Sequence, residues 1–351
     1  MMQHTNHSQD TDMAQIVVIG AGVIGLSCAL RLLRAGHQVA IVARDFPTPF
    51  ETATGAAINY TSLWAGAHNR WNLPTTPAEE REHAMARRTY AHMRRLVETN
   101  PECGVTFTTG IEYFEDPPEA YRALDARRAA ELGFEAFRRH APDELPEGVA
   151  LGFEYRTWCA NPMVYCMFLL RQFCLAGGTT AVAELRHPHE VFAMDPYRSA
   201  AAVVNCSGVG FGDDPAVFPT RGQTCVVANA VSATVTRQNA DGSWTFAVPR
   251  GFDGGTVIGG TKEPDDWDPE PSPEVRARLL DRFAATHPAV LADGPYRVLR
   301  DIVGRRPTRR GGPRLEAEAF GHRRVVHAYG LGGRGYELSW GVAEAVLALL
   351  E

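Results

Sequence analysis

The chain has 351 residues, 45% of them hydrophobic, and 35 Lys+Arg against 41 Asp+Glu give a formal net charge of −6. That composition supports a substantial core and two domains, and it argues against nonspecific binding to nucleic acid or to an anionic membrane surface. No apolar run reaches the roughly 18 residues needed to span a bilayer, and the seven cysteines, odd in number and without a CxxC pair, read as buried free thiols rather than a disulfide frame or a metal site.

The opening stretch, residues 1–14, is polar, lacks the apolar segment of a secretory signal, and is expected to be an extension outside the fold. Next comes "QIVVIGAGVIGLSCALRLLRAGHQVAIVARD", which reads as strand, tight turn, helix, strand. Ile16 to Ile19 suit a buried parallel strand. Gly20, Gly22 and Gly25 follow in the GxGxxG spacing that lets backbone approach a pyrophosphate. The first helical N–H groups, around Val23 and Ile24, then face the diphosphate at the positive end of the helix dipole. A second strand, Val39 to Val42, runs into Arg44 and Asp45, about 20 residues after Gly25, where a ribose-binding side chain belongs. Asp45 is the first candidate and Arg44 the second; FAD and NAD are both compatible with this unit.

"SLWAGAHNRW" is a loop of small and aromatic residues, and residues 78–98 form a charged surface helix. A shorter helical patch follows Pro117-Pro118, and an apolar helix runs from Pro162 to Ala176, with proline at its start and Gly177 at its end. "AAAVVNCSGVG" is a buried strand entering a glycine turn at Ser207 and Gly208, a second place for backbone to approach a cofactor. "GQTCVVANAVSATVT", "WTFAVPRG" and "GTVIGGTK" are β-rich, and a helix is expected from Glu274 to Ala285. Gly330, Gly332, Gly333 and Gly335 crowd into "HAYGLGGRGYELSWG", directly before an apolar final helix. The expected fold class is α/β. A discontinuous Rossmann-like dinucleotide-binding domain (residues 15–75, 155–215 and 300–351) is interrupted by a substrate domain on a mixed or antiparallel β-sheet (residues 76–154 and 216–299).

The segments "VVIGAGVIGLSCAL", "ARDFP", "SLWAGA", "VVNCSGVG", "RGQT", "GGTKEPDDWD", "VGRRPTRRGGPRLE" and "HAYGLGGRGYELSWG" occur in the order found in the D-amino-acid oxidases, and the chain resembles that family from about residue 15 to residue 350. The resemblance implies FAD as cofactor, D-amino acids and O₂ as substrates, oxidative deamination as the reaction, and a homodimer as a common assembly. It implies a peroxisomal address as well. The chain's last residues, "LALLE", carry no targeting tripeptide, which leaves a cytoplasmic location as the other expectation.

By the same resemblance, Gly330, Gly332, Gly333, Arg334, Gly335, Tyr336 and Glu337 lie beside the flavin, where helix N–H groups favour the charge of the reduced ring. The backbone of Ala65, Gly66 and Ala67 borders flavin N5 and O4. Arg306 clamps the substrate α-carboxylate as a bidentate fork, with Arg305 pointing elsewhere, and the Gly333 carbonyl accepts from the substrate amine; Tyr336 stands at the same catalytic end. Phe246 occupies a position where many members carry tyrosine. "TRQNADGSWTF" resembles the lid of D-aspartate oxidases, in which Arg237 would bind a side-chain carboxylate. Lys262 stands where some members place a second arginine, and His68 and Asn69 are expected to add polar contacts above the ring. Together these imply a preference for acidic substrates; a neutral-substrate oxidase and a glycine- or sarcosine-type amine oxidase are the alternatives.

Overall fold

The structure is a computed structural model that describes residues 14–48 and 58–351, so all but the last residue of the expected N-terminal extension lies outside the described residues. Two sheets organise the chain. The first has six strands in the order β14 (Arg314–Phe320), β15 (Arg323–Tyr329), β7 (Ala202–Asn205), β1 (Gln15–Ile19), β2 (Gln38–Ala43) and β6 (Thr179–Val182). All pairs are parallel except that of β14 with β15. The central strands are buried on both faces, which explains their unbroken Val/Ile/Ala sequences. Helices α1 (Val23–Arg34), α5 (Pro162–Leu175) and α7 (Gly335–Leu350) pack on one side, and Val191, Phe192 and Tyr197 cover the other.

The second sheet has nine strands: β12 (Glu263–Pro264), β8 (Val217–Val227), β11 (Thr256–Gly259), β10 (Trp244–Pro249), β9 (Ala233–Gln238), β3 (Val105–Phe114), β5 (Leu151–Ala160) and β4 (Glu135–Arg139) in order, with β13 (Val298–Arg309) also paired to β8. It is antiparallel apart from the parallel β3–β9 pair, hence mixed, as expected. Helix α6 (Pro273–Thr286) lays Leu279, Leu280 and Phe283 against it. The patch after Pro117-Pro118 forms two short helices, α3 (Glu119–Arg122) and α4 (Ala126–Glu131), because Asp125 caps a new helix through the Arg128 N–H.

Helix α2 (Pro77–Thr99) starts at a capping box between Thr76 and Glu79. Its outer face is charged as expected, but Ala86, Tyr90, Met93 and Leu96 are buried. A Cβ on Gly341 would lie 2.4 Å from the Met85 Cα, so α2 crosses α7 at near contact. The helix therefore packs on the side of the first sheet. The expected boundaries at 155 and 300 need correction too: each falls inside a strand of the second sheet, β5 and β13 respectively. One apolar cluster runs through α1, α2, α5 and α7 into β3 and β5, so the core is continuous across the proposed cuts.

Candidate active site

A cavity of about 1650 Å³ begins at the carboxyl ends of β1, β2 and β7 and extends across to β8, β9, β10 and β13. At its first end the Gly20 N–H donates to the Val42 carbonyl at 2.9 Å. A Cβ there would sit 2.5 Å from the Cys206 carbonyl oxygen, and one on Gly25 would sit 1.9 Å from the Gly20 oxygen. No side chain larger than hydrogen fits either position. Gly22 begins α1 without a side-chain cap, and of the first helical N–H groups that of Val23 is taken by Ser62 Oγ at 3.0 Å. Ile24 lines this end in the same turn, and Gly25 follows it, packed against the Gly20 carbonyl rather than lining the cavity. Arg44 and Asp45 line the cavity, paired to each other at 2.8 Å.

The turn at Ser207 and Gly208 forms the adjoining wall. Asn205 Oδ1 accepts from the Ser207 N–H at 3.1 Å, and the Gly208 carbonyl accepts from the Gly330 N–H at 3.1 Å. This bond joins the two glycine loops that the sequence presents 122 residues apart. Gly330 has φ +77°, and a Cβ there would lie 2.7 Å from the Arg309 Cβ. Gly332, Gly333, Arg334 and Gly335 lead from this turn into α7, whose N-terminus also lacks a side-chain cap.

Three of the expected residues keep their place on the cavity wall while their side chains are already engaged. Arg334 pairs with Glu82 and, at 2.7 Å, with Glu337. Glu337 also accepts from the Arg70 N–H at 3.1 Å. The Tyr336 hydroxyl donates to the Ser62 carbonyl at 2.8 Å and lies 3.2 Å from Cys166 Sγ, so it braces the loop rather than meeting a substrate. Burial pushes this phenol's pKa well up.

At the far end, Arg306 on β13 is half-buried, with its guanidinium flat against Gly222: a Cβ there would be 2.4 Å from Nη2. It donates to the Thr261 carbonyl at 3.3 Å, and no carboxylate among the described residues pairs with it. Burial lowers its pKa, with Glu263 opposing. Arg305 points away, to Asn59 and the Trp267 carbonyl, as strand alternation requires. The nearest atom to a Cβ on Gly333 is Arg306 Cδ at 3.8 Å. Across the cavity run Ala65, Gly66 and Ala67, with Gly66 packed on Val248 and Phe246. The Ala67 carbonyl accepts from the Ala160 N–H at 2.7 Å, and Ala67 holds φ +48°.

His68 lines the cavity, and burial followed by the nearby Arg70 charge holds its pKa down at about 3. Asn69 does not: it is fully buried against Thr157, to which Nδ2 donates at 3.3 Å, because successive residues of this extended segment face opposite ways. Arg237 does not reach the cavity either. Its guanidinium pairs with Glu115 at 2.6 Å and donates to the Glu147 carbonyl and Thr286. On β9 it alternates with Thr236, and it is Thr236 that faces the site. Lys262 does line the cavity, and no acidic partner for it exists among the described residues. Sequence reasoning missed Arg278 and Arg282 of α6, Trp244, and Arg70, which forms a buried bidentate pair with Glu112 beneath the Trp244 ring. The i, i+4 spacing of the two α6 arginines was a usable signal for a common face.

The FAD dependent oxidoreductase family matches residues 15–349. The chain belongs to this family. It is 42% identical to a D-aspartate oxidase of Talaromyces thermophilus, over 96% of this chain and 95% of that one. A D-amino-acid oxidase of Rubrobacter xylanophilus is 34% identical, over 96% of each. Among solved structures, glycine oxidase from Bacillus cereus superposes with a TM-score of 0.72 over 95% of each chain at 17% identity, a likeness of fold. FAD is the cofactor of the family, and the residues present fit it. The glycine cradle leaves room for backbone approach only, two uncapped helix N-termini face the cavity, and the volume suits a dinucleotide. No helix among the described residues is long and apolar enough to cross a membrane.

Proposed function

We propose that this protein catalyses the oxidative deamination of D-amino acids by O₂ and prefers acidic ones. The observation that carries the reading is Arg306, a half-buried guanidinium free of any described carboxylate, placed beside Gly333 and across from the Ala65–Ala67 loop. Its fork matches an α-carboxylate bidentately, and a carboxylate arriving there offsets a charge that burial has already penalised. With the carboxylate held, the Gly333 carbonyl would accept from the amine, which would orient Cα toward the 65–67 loop. Bound FAD supplies a two-electron acceptor for the Cα hydrogen and returns those electrons to O₂ as H₂O₂, so that with water the substrate ends as a 2-oxo acid and ammonia. The remaining work is positioning, and the site needs no side-chain acid or base for it.

Acid preference rests on the similarity to the fungal D-aspartate oxidase and on Lys262 and Arg278, which line the cavity with no acidic partner among the described residues. A side-chain carboxylate satisfies such a cation; a methyl group leaves it unpaired. Arg237 is not part of this reading. Its engagement by Glu115, together with Phe246 at the inner wall, favours the second reading, a neutral-substrate oxidase. Peroxide release with D-aspartate, D-alanine and L-aspartate separates the two. The proposal predicts turnover of D-aspartate at a kcat/KM at least about tenfold above that of D-alanine, equivalent to about 1.4 kcal/mol, and none of the L-isomer. Equal or inverted D-isomer values would establish the neutral reading.

A further inference from the structure

Arg250, directly after β10, is 2% exposed. Its Nη2 donates to the Ala65 carbonyl at 3.1 Å, its Nε has no partner, and no carboxylate among the described residues forms an ion pair with it. Its backbone N–H is fixed on the Gly255 carbonyl at 2.9 Å, and a Cβ on Gly254 would fall 2.9 Å from the Arg250 Cβ, so the side chain has little room to turn elsewhere. The groups whose charges reach it are Tyr336, a phenol kept neutral by burial, and Arg300, a second cation. Burial lowers its pKa to about 10, which leaves it charged at neutral pH. An uncompensated buried guanidinium is destabilising by itself. It becomes favourable when negative charge arrives nearby, and reduction adds negative charge to a flavin held in the cavity that Ala65 lines.

We propose that Arg250 is a positioning residue for the cofactor, pinning Ala65 and placing a fixed positive charge behind the loop that raises the flavin's reduction potential. The inference rests on the family's FAD and on the 65–67 loop bordering the ring. It does not depend on which substrate is oxidised, because its test uses none. FAD-loaded wild type, R250Q and R250K are equilibrated with a redox dye under nitrogen, and the ratio of reduced to oxidised flavin is read at one dye potential. R250Q removes the charge while keeping a polar side chain, and its ratio is expected to fall about tenfold or more at neutral pH. R250K keeps the charge at pH values below its own lowered pKa and should match wild type in that range. A wild-type ratio in R250Q, whatever happens to its melting temperature, overturns the proposal. If R250Q fails to retain FAD, R250K decides alone. A buried lysine sheds its proton at lower pH than arginine, so its ratio should drop away from wild type as pH rises, and curves that stay parallel overturn the proposal equally.

Discussion

An arginine or lysine serves a ligand only through N–H donors it has not already committed, and the cations near this cavity divide on that criterion. Arg70, Arg237 and Arg334 each hold carboxylates of the protein itself, whereas Arg306 and Lys262 hold none among the described residues. R237M is therefore expected to lower the melting temperature, since it strands Glu115 with only a 22% exposed side chain, while leaving the KM for D-aspartate within about twofold. K262M should raise that KM by about tenfold, the scale of one charge-assisted contact, with little effect on stability. Steady-state kinetics and thermal melts on the two variants check both. His68 carries a pH prediction. Its folded pKa lies near 3, below the ordinary histidine value of 6.5. The unfolded chain thus binds more protons between those limits, and stability is lost as pH falls from about 6.5 toward 3. H68Q should flatten that part of a stability–pH curve; an unchanged slope would place the loss in other groups. Nothing in residue type distinguishes Arg237 from Lys262 in the sequence, because the partner that occupies Arg237 lies 122 positions away.

At the scale of elements, the glycine segments were the most legible, since several of their glycines stand where a Cβ has no room. Gly25 touches the Gly20 carbonyl, Gly20 the Cys206 carbonyl, and Gly330 the β13 residue Arg309. Such contacts tolerate no Cβ and leave a mark in the local sequence. The strands of the first sheet were legible for a related reason, being short apolar runs buried on both faces. β3 and β5 were not singled out: both are long, and polar residues on their outer positions break the apolar pattern. The capping turn of α1 gives the sharpest test here. G25V forces overlap with the Gly20 backbone, and is expected to abolish FAD retention and to destabilise by about 1–3 kcal/mol or more. Absorbance of the purified variant and a denaturant melt report the two effects separately. A folded, flavin-loaded G25V protein would contradict the assigned cradle.

Across the whole molecule, the two sheets share one apolar cluster, and the cofactor cavity draws its walls from both. The sequence suggested a dinucleotide-binding fold in separated pieces interrupted by a sheet domain, yet packing joins the two: β13 runs from the second sheet into the cavity wall, and β5 bridges through Cys159 to His68, which lines the cavity. Binding at such a shared cavity stabilises the native state by about 2.7 kcal/mol at a ligand concentration one hundred times Kd, so FAD should raise a single cooperative melting transition rather than one of two. The most direct test of the functional account is anaerobic. FAD-loaded wild type and R306M are mixed with D-aspartate, and separately with D-alanine, while the visible flavin band is followed. The account predicts rapid bleaching of the wild type by D-aspartate, slower bleaching by D-alanine, and a bleaching rate constant in R306M lower by about a hundredfold or more, the scale of a lost charge-assisted clamp. A wild-type flavin that stays oxidised with both, or an R306M protein that bleaches as fast as wild type, would contradict it.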